Sequence, residues 1–190
     1  MMAVDSTRVG EAAVGLLRQS RTSPSPARDK ATADALAWLS ETYRAGLVDF
    51  CRRLTGSPDD AEDIASEALL RAAEKFDRFV PRGRGSVRAW LTRIALNIVR
   101  DRARRQARER RAVEGMARIQ PMASEDPDDS GAWAMVASLP LHLRAAVILR
   151  MRYQLDYDEI AQALGCRPST ARWRVHKALR TLAEMMTDET

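Results

Sequence analysis

From Ala31 onward, apolar residues return every three or four positions, the period of an amphipathic helix. Leu36, Leu39, Tyr43, Leu47, Phe50 and Leu54 make one stripe, which Gly56 should end. Ser57-Pro58-Asp59-Asp60 restarts a helix, with Ser57 as N-cap, Pro58 at the first helical position and Asp60 where a capping-box acid belongs. This second helix is expected to reach Phe76. PRGRG at 81–85 breaks the chain, and from Ser86 a long helix carries Val87, Trp90, Leu91, Ile94, Ala95 and Ile98 on its buried side. Beyond Arg100 the stripe fades into arginine and alanine. Trp133, Val136 and Leu139 open a second apolar group, and Leu143, Val147, Ile148 and Met151 supply its next helix.

The pattern is clearest from Asp156 to Leu182, DYDEIAQALGCRPSTARWRVHKALRTL. Asp156 and Glu159 form a capping box, Ile160, Ala161 and Leu164 give a buried stripe, and Gly165 supplies a left-handed stop. Pro168 suits the first position of a second helix, whose inward stripe is Ala171, Val175, Ala178 and Leu182. Its other face offers Ser169, Thr170, Arg172, Trp173, His176, Lys177 and Arg180: donors and a flat aromatic. That is the layout of a helix-turn-helix suited to a major groove. The competing reading is a helical hairpin with a basic exterior.

The expected fold is all-α: two small helical domains joined by a flexible linker, the C-terminal one containing the helix-turn-helix. Residues 1–30 read as a flexible extension with room for a short helix near 10–18, and 31–110 as the first domain. Residues 111–130, ending in ASEDPDDSG, read as an acidic linker, and 131–187 as the second domain.

Composition narrows the function. The net charge is +5, and Arg supplies 28 of the 31 basic residues, a usage that favours phosphate and base recognition. Cys51 and Cys166 have no CxxC or Cys/His spacing, so neither a metal site nor a disulfide framework is expected, and no cofactor. No stretch reads as a signal peptide or a membrane span, which points to a cytoplasmic protein without membrane insertion.

Two further constellations stand out. Asp60, Asp63 and Glu67 share one face of the second helix as an acidic ridge. Helix-dipole compensation explains Asp59 and Asp60 but fades before Glu67, so partner docking stands beside it as an alternative account. Arg82, Arg84 and Arg88 surround a glycine-containing loop, and Arg93, Asn97, Arg100 and Arg104 lie opposite the apolar stripe of the long helix. Such a face can track phosphates and hold an unstacked base. Trp90 belongs to the apolar stripe and is assigned to the core rather than to base stacking.

DAEDIASEALLRA, FDRF, SVRAWLTRIALNIVRD and LPLHLRAAVILRMRYQLDYDEIAQALGCRPSTARWRVHKAL, in this order and spacing, closely resemble the extracytoplasmic-function group of bacterial RNA polymerase sigma factors. The resemblance spans about Tyr43 to Leu182. It implies that Asp60, Asp63, Ile64 and Glu67 bind the beta-prime clamp of core polymerase, with the beta flap as a second contact. It implies minus-ten promoter contacts by Arg82, Arg84, Arg88, Arg93, Asn97, Arg100 and Arg104. Minus-thirty-five contacts would come from Ser169, Thr170, Arg172, Trp173, His176 and Lys177, with Arg174 on phosphate. Members of this group are commonly restrained by an anti-sigma factor. Three residues depart from the group's pattern: Ser66 where glutamine is usual, Arg167 where serine often caps, and Trp173 where a small polar residue is common. The alternative is a helix-turn-helix repressor or activator with an N-terminal dimerisation or sensing domain. A DNA-processing enzyme is poorly supported, since only His142 and His176 are available and no catalytic pair accompanies them.

Overall fold

The computed structural model describes residues 26–80, 86–112 and 131–188, and among these it forms seven α-helices, one 3-10 turn and no strand. The N-terminal unit comprises α1 (Pro26–Thr55), α2 (Pro58–Glu74), the 3-10 turn (Phe76–Arg78) and α3 (Ser86–Ala112). The C-terminal unit comprises α4 (Gly131–Ser138), α5 (Leu141–Met151), α6 (Tyr157–Leu164) and α7 (Pro168–Asp188).

Local signals set the helix ends. Thr55 closes α1 and Gly56 follows at φ 76°, a left-handed conformation that glycine adopts without steric cost. Ser57 then caps α2, its hydroxyl accepting from the Asp60 amide at 3.2 Å. The helix stops at Glu74, two residues short of the expected Phe76, because Phe76 turns inward in the 3-10 segment that follows. At the other end, α1 begins at Pro26, ahead of the expected Ala31.

Leu39, Phe50, Leu54, Ile64, Leu69, Phe76, Leu91 and Leu96 are fully buried between α1, α2 and α3. Each such side chain contributes about 1.5–3 kcal/mol on leaving water. Trp90 joins an aromatic group on the 3-10 turn, 4.7 Å from Phe79 and 6.1 Å from Phe76 between ring centroids, in keeping with its core assignment. Leu139, Ile148, Leu149, Ile160, Ala163, Ala171 and Val175 form the corresponding core of the second unit.

The two units pack directly on each other. α6 lies along α3, while α4 and α5 meet the C-terminal half of α1. Arg144 of α5 is central: it donates to the Leu54 carbonyl of α1 at 2.7 Å and to the Ala137 and Leu139 carbonyls at the end of α4. One guanidinium thereby satisfies carbonyls that two helix C-termini leave open. Buried charge elsewhere is sparse, and Cys51 is inert, its thiol pushed up to about 12 by burial.

Candidate nucleic-acid and protein interfaces

The helix-turn-helix is built as its sequence anticipates. Asp156 accepts from the Glu159 amide at 2.8 Å, and Glu159 accepts from the Asp156 amide at 2.9 Å, closing the capping box. Gly165 takes φ 64° and returns the Cys166 amide to the Ala161 carbonyl at 3.0 Å. The close approach of α3 adds a second demand, since a Cβ at Gly165 would lie 3.3 Å from the Arg93 guanidinium.

On α7, Ser169, Arg172, Trp173 and His176 are exposed, and Thr170 and Lys177 are half-buried beside them. Trp173 is 58 % exposed and presents a flat apolar surface among the donors of α7. Tyr157 of α6 organises the neighbouring donors. Arg172 stacks over its ring at 5.0 Å, Arg150 at 5.2 Å, and the His176 ring lies nearly parallel to it with centroids 6.4 Å apart. Arg174 turns away from this face. Its Nη1 is buried with no hydrogen-bond partner among the described residues, and it faces Arg100 and His142 rather than solvent.

The acidic ridge on α2 is partly internally neutralised. Asp60 and Asp63 are exposed, and Glu67 is half-buried. Arg102 of α3 reaches both Glu67 at 3.2 Å and Asp60 at 3.6 Å, and Arg71 holds Glu67 at 2.6 Å. Asp63 has no ion pair among the described residues. Ile64 is only 1 % exposed, so it supports the ridge from beneath and cannot itself present to a partner. Ser66 accepts from Arg44, which also pairs with Glu62 at 2.6 Å. Sequence reading missed Arg102 because it lies in the basic tail of α3, where no apolar stripe shows which arginine turns inward.

Along α3, Arg88, Arg93, Asn97 and Arg104 are exposed and Arg100 is half-buried, while Arg82 and Arg84 lie outside the described residues. Asn97 makes no hydrogen bond among the described residues. Arg88 lies 6.0 Å from the ring centroid of Tyr153 in the second unit. Burial makes Arg100 easier to deprotonate than an ordinary arginine, and Arg174, Arg104 and Arg93 push the same way. His142 is held below the usual histidine range by burial and then by Arg174 and Arg100. A groove of about 890 Å³ runs between the two units, lined by Phe79, Trp90 and Arg93 on one side and Asp158, Gln162 and Cys166 on the other. Among the described residues no group of His, Cys, Asp and Glu could hold a metal ion, and no helix is long and apolar enough to cross a membrane.

A helix-turn-helix unit with an exposed basic recognition face, packed on a helical bundle with separate acidic and basic faces, defines a sigma-type DNA-binding initiation factor. Residues 39–109 match the family profile of sigma-70 region 2, and residues 132–182 match that of sigma-70 region 4. The chain belongs to the extracytoplasmic-function RNA polymerase sigma factors. It is 33 % identical over 159 residues to sigma factor SigL of Mycobacterium tuberculosis, covering 80 % of this chain and 89 % of that one. It is 32 % identical over 146 residues to SigE of Mycolicibacterium smegmatis, covering 70 % of this chain but 54 % of that longer relative. The structure of the sigma factor RpoE in complex with the anti-sigma factor NepR from Bartonella quintana is similar at a TM-score of 0.64 and 25 % identity, over 80 % of this chain and 96 % of that one.

Proposed function

We propose that this protein is an alternative sigma subunit that recruits core RNA polymerase to a promoter class and helps open the DNA, without covalent chemistry of its own. The observation that carries this reading is the separation of faces within one bundle: an acidic ridge on α2 and a basic, asparagine-bearing face on α3. A dimerisation or sensing module needs neither. Asp63, free of ion pairs among the described residues, is the primary charge for a basic surface of the beta-prime clamp, with Asp60 and Glu67 beside it. Ile64 acts by holding the ridge in place. Arg88, Arg93, Asn97 and Arg100 serve the minus-ten element, with Arg82, Arg84 and Arg104 as flanking phosphate contacts. Ser169, Thr170, Arg172, Trp173, His176 and Lys177 read the minus-thirty-five element in the major groove.

The residue boundaries 31–110 and 131–187 serve as the two working domains, with 111–130 as their tether. The protein works in the cytoplasm, where polymerase and promoters are, with the beta flap as the partner of region 4. An anti-sigma factor fits as regulator, since a similar sigma factor is seen bound to one.

Run-off transcription with purified core polymerase tests the reading. The wild-type chain should direct initiation when added alone to core. Asp63→Ala combined with Glu67→Ala should cut transcript yield about tenfold, the equivalent of about 1.4 kcal/mol in core affinity, while binding of a minus-thirty-five duplex is unchanged. Full activity of that double variant would remove the ridge from the interface.

A further inference from the structure

A cup of about 120 Å³ opens between the middle of α1, the first turns of α3 and Tyr153. Its inner wall is apolar, with Leu47, Phe50 and Leu91 each at most 4 % exposed. Gly46 stands at one edge, and a Cβ added there would meet nothing within 4 Å, so the missing side chain leaves that edge open. The Tyr153 hydroxyl fixes another edge, sitting 2.8 Å from Asp49 Oδ2 and 2.9 Å from the Gly46 carbonyl. Asp49 does not line the cup, and its charge is met by Arg53 at 3.1 Å and Arg152 at 3.3 Å.

The polar groups lining this cup have no hydrogen-bond partner of their own. Thr92 is the one buried polar side chain among the described residues, 3 % exposed, and its hydroxyl makes no hydrogen bond there. Such a hydroxyl is rare, because burial removes water and a protein partner ordinarily replaces it. Tyr43 and Arg88 share the rim. Burial pushes the Tyr43 hydroxyl up while the Arg88 charge pulls it down, so the two act on each other across the opening. Neither side chain makes a hydrogen bond or an ion pair among the described residues. Arg88 and Thr92 are four residues apart on α3 and therefore lie on one face of it, where a single acceptor can meet both.

We propose that this cup is a binding site for a short-chain monocarboxylate, whose alkyl tail packs on Leu47, Phe50 and Leu91 and whose carboxylate accepts from Arg88 and the Thr92 hydroxyl. The apolar wall selects the tail, and the unpaired cation beside a free donor selects the charge. Size sets the length of the acid: an apolar cavity of about 150 Å³ takes benzene, about six heavy atoms, so this slightly smaller cup suits an acid of about the size of butyrate. Arg88 is exposed and its attraction is screened, which keeps the affinity modest. Arg88 is also read as a minus-ten contact, and binding in the cup does not depend on that reading.

The test titrates the full chain with sodium butyrate at constant ionic strength and follows amide NMR shifts. The shifts should be largest at Gly46, Leu47 and Thr92 and should saturate with a dissociation constant on the order of 1 mM. Acetate keeps the charge and loses the tail, and n-butanol keeps the tail and loses the charge. Each should bind about tenfold more weakly. Gly46→Leu places a side chain in the open space and replaces glycine with a better helix former, so the variant should fold as well as wild type and lose binding. Thr92→Val and Arg88→Gln should each weaken butyrate by about threefold to tenfold, with helical circular dichroism unchanged. Absence of saturable shifts, or wild-type affinity in Gly46→Leu, would overturn the site. Equal binding of n-butanol and butyrate, or wild-type affinity in Arg88→Gln, would overturn the carboxylate as its ligand.

Discussion

Trp173 and Arg174 are neighbours in sequence with opposite surroundings, and the contrast defines what each can do. Trp173 exposes its indole beside Arg172 and His176, both already ordered against the Tyr157 ring. An indole offers one donor and a broad apolar face, chemistry that suits a thymine methyl better than a purine edge. Trp173→Ala removes little buried packing and should leave thermal stability within about 0.5 kcal/mol. It should weaken the minus-thirty-five duplex by about 1–3 kcal/mol, read as a shift in the dissociation constant with the largest loss at one base pair. Equal loss across all sequences would make Trp173 a backbone contact. The role of α7 was legible because donors and apolar residues alternate with helical period along it. The inward turn of Arg174 was not, because it is dictated by α3, more than seventy residues away in sequence.

At the scale of elements, helix ends were the most legible feature of the chain, since caps are local chemistry. Ser57, Asp156, Glu159 and Gly165 each do in the structure what their sequence neighbourhood implies. The C-terminal end that shifted, at Glu74, has only backbone capping and is set by the burial of Phe76 in the turn that follows. α6 is only eight residues long, too short to persist without its caps and its burial. Asp156→Ala should therefore cost about 1 kcal/mol through loss of the capping box. Gly165→Ala should cost about 1–2 kcal/mol, because alanine pays for the left-handed backbone and presses on Arg93. Both are measurable as lowered midpoints in thermal unfolding. A Gly165→Ala midpoint equal to wild type would mean that the turn relaxes and that α3 does not press on it. The Asp49–Tyr153 hydrogen bond was invisible at this scale, because the two residues are 104 positions apart and neither carries a local signal of the other.

At the scale of the whole molecule, two titrating groups make the stability of the fold sensitive to pH. Burial pushes the Asp49 carboxyl up, but the Tyr153 hydroxyl with Arg53 and Arg152 outweighs it and holds the group below the usual carboxylate range. A depressed carboxylate contributes stability above its unfolded value, about 3.9, and loses it only as pH falls through the lower folded value. His142 is likewise depressed, here by burial and by Arg174 and Arg100. Its unfolded value is about 6.5, so folding stability should begin to fall as pH drops below that point, where the unfolded chain takes up the proton more readily. The expected profile is flat stability from about pH 8 to about 7, a modest loss toward about pH 5, and a steeper one below about 4. Arg174→Gln removes one of the charges acting on His142, so it should raise the histidine midpoint and shrink the modest phase while leaving the acid phase in place. Thermal midpoints across the pH series, with the His142 ring protons followed by NMR, separate the two. A loss that begins only below about pH 4 would show that the arginines facing His142 are too well screened to oppose its protonation.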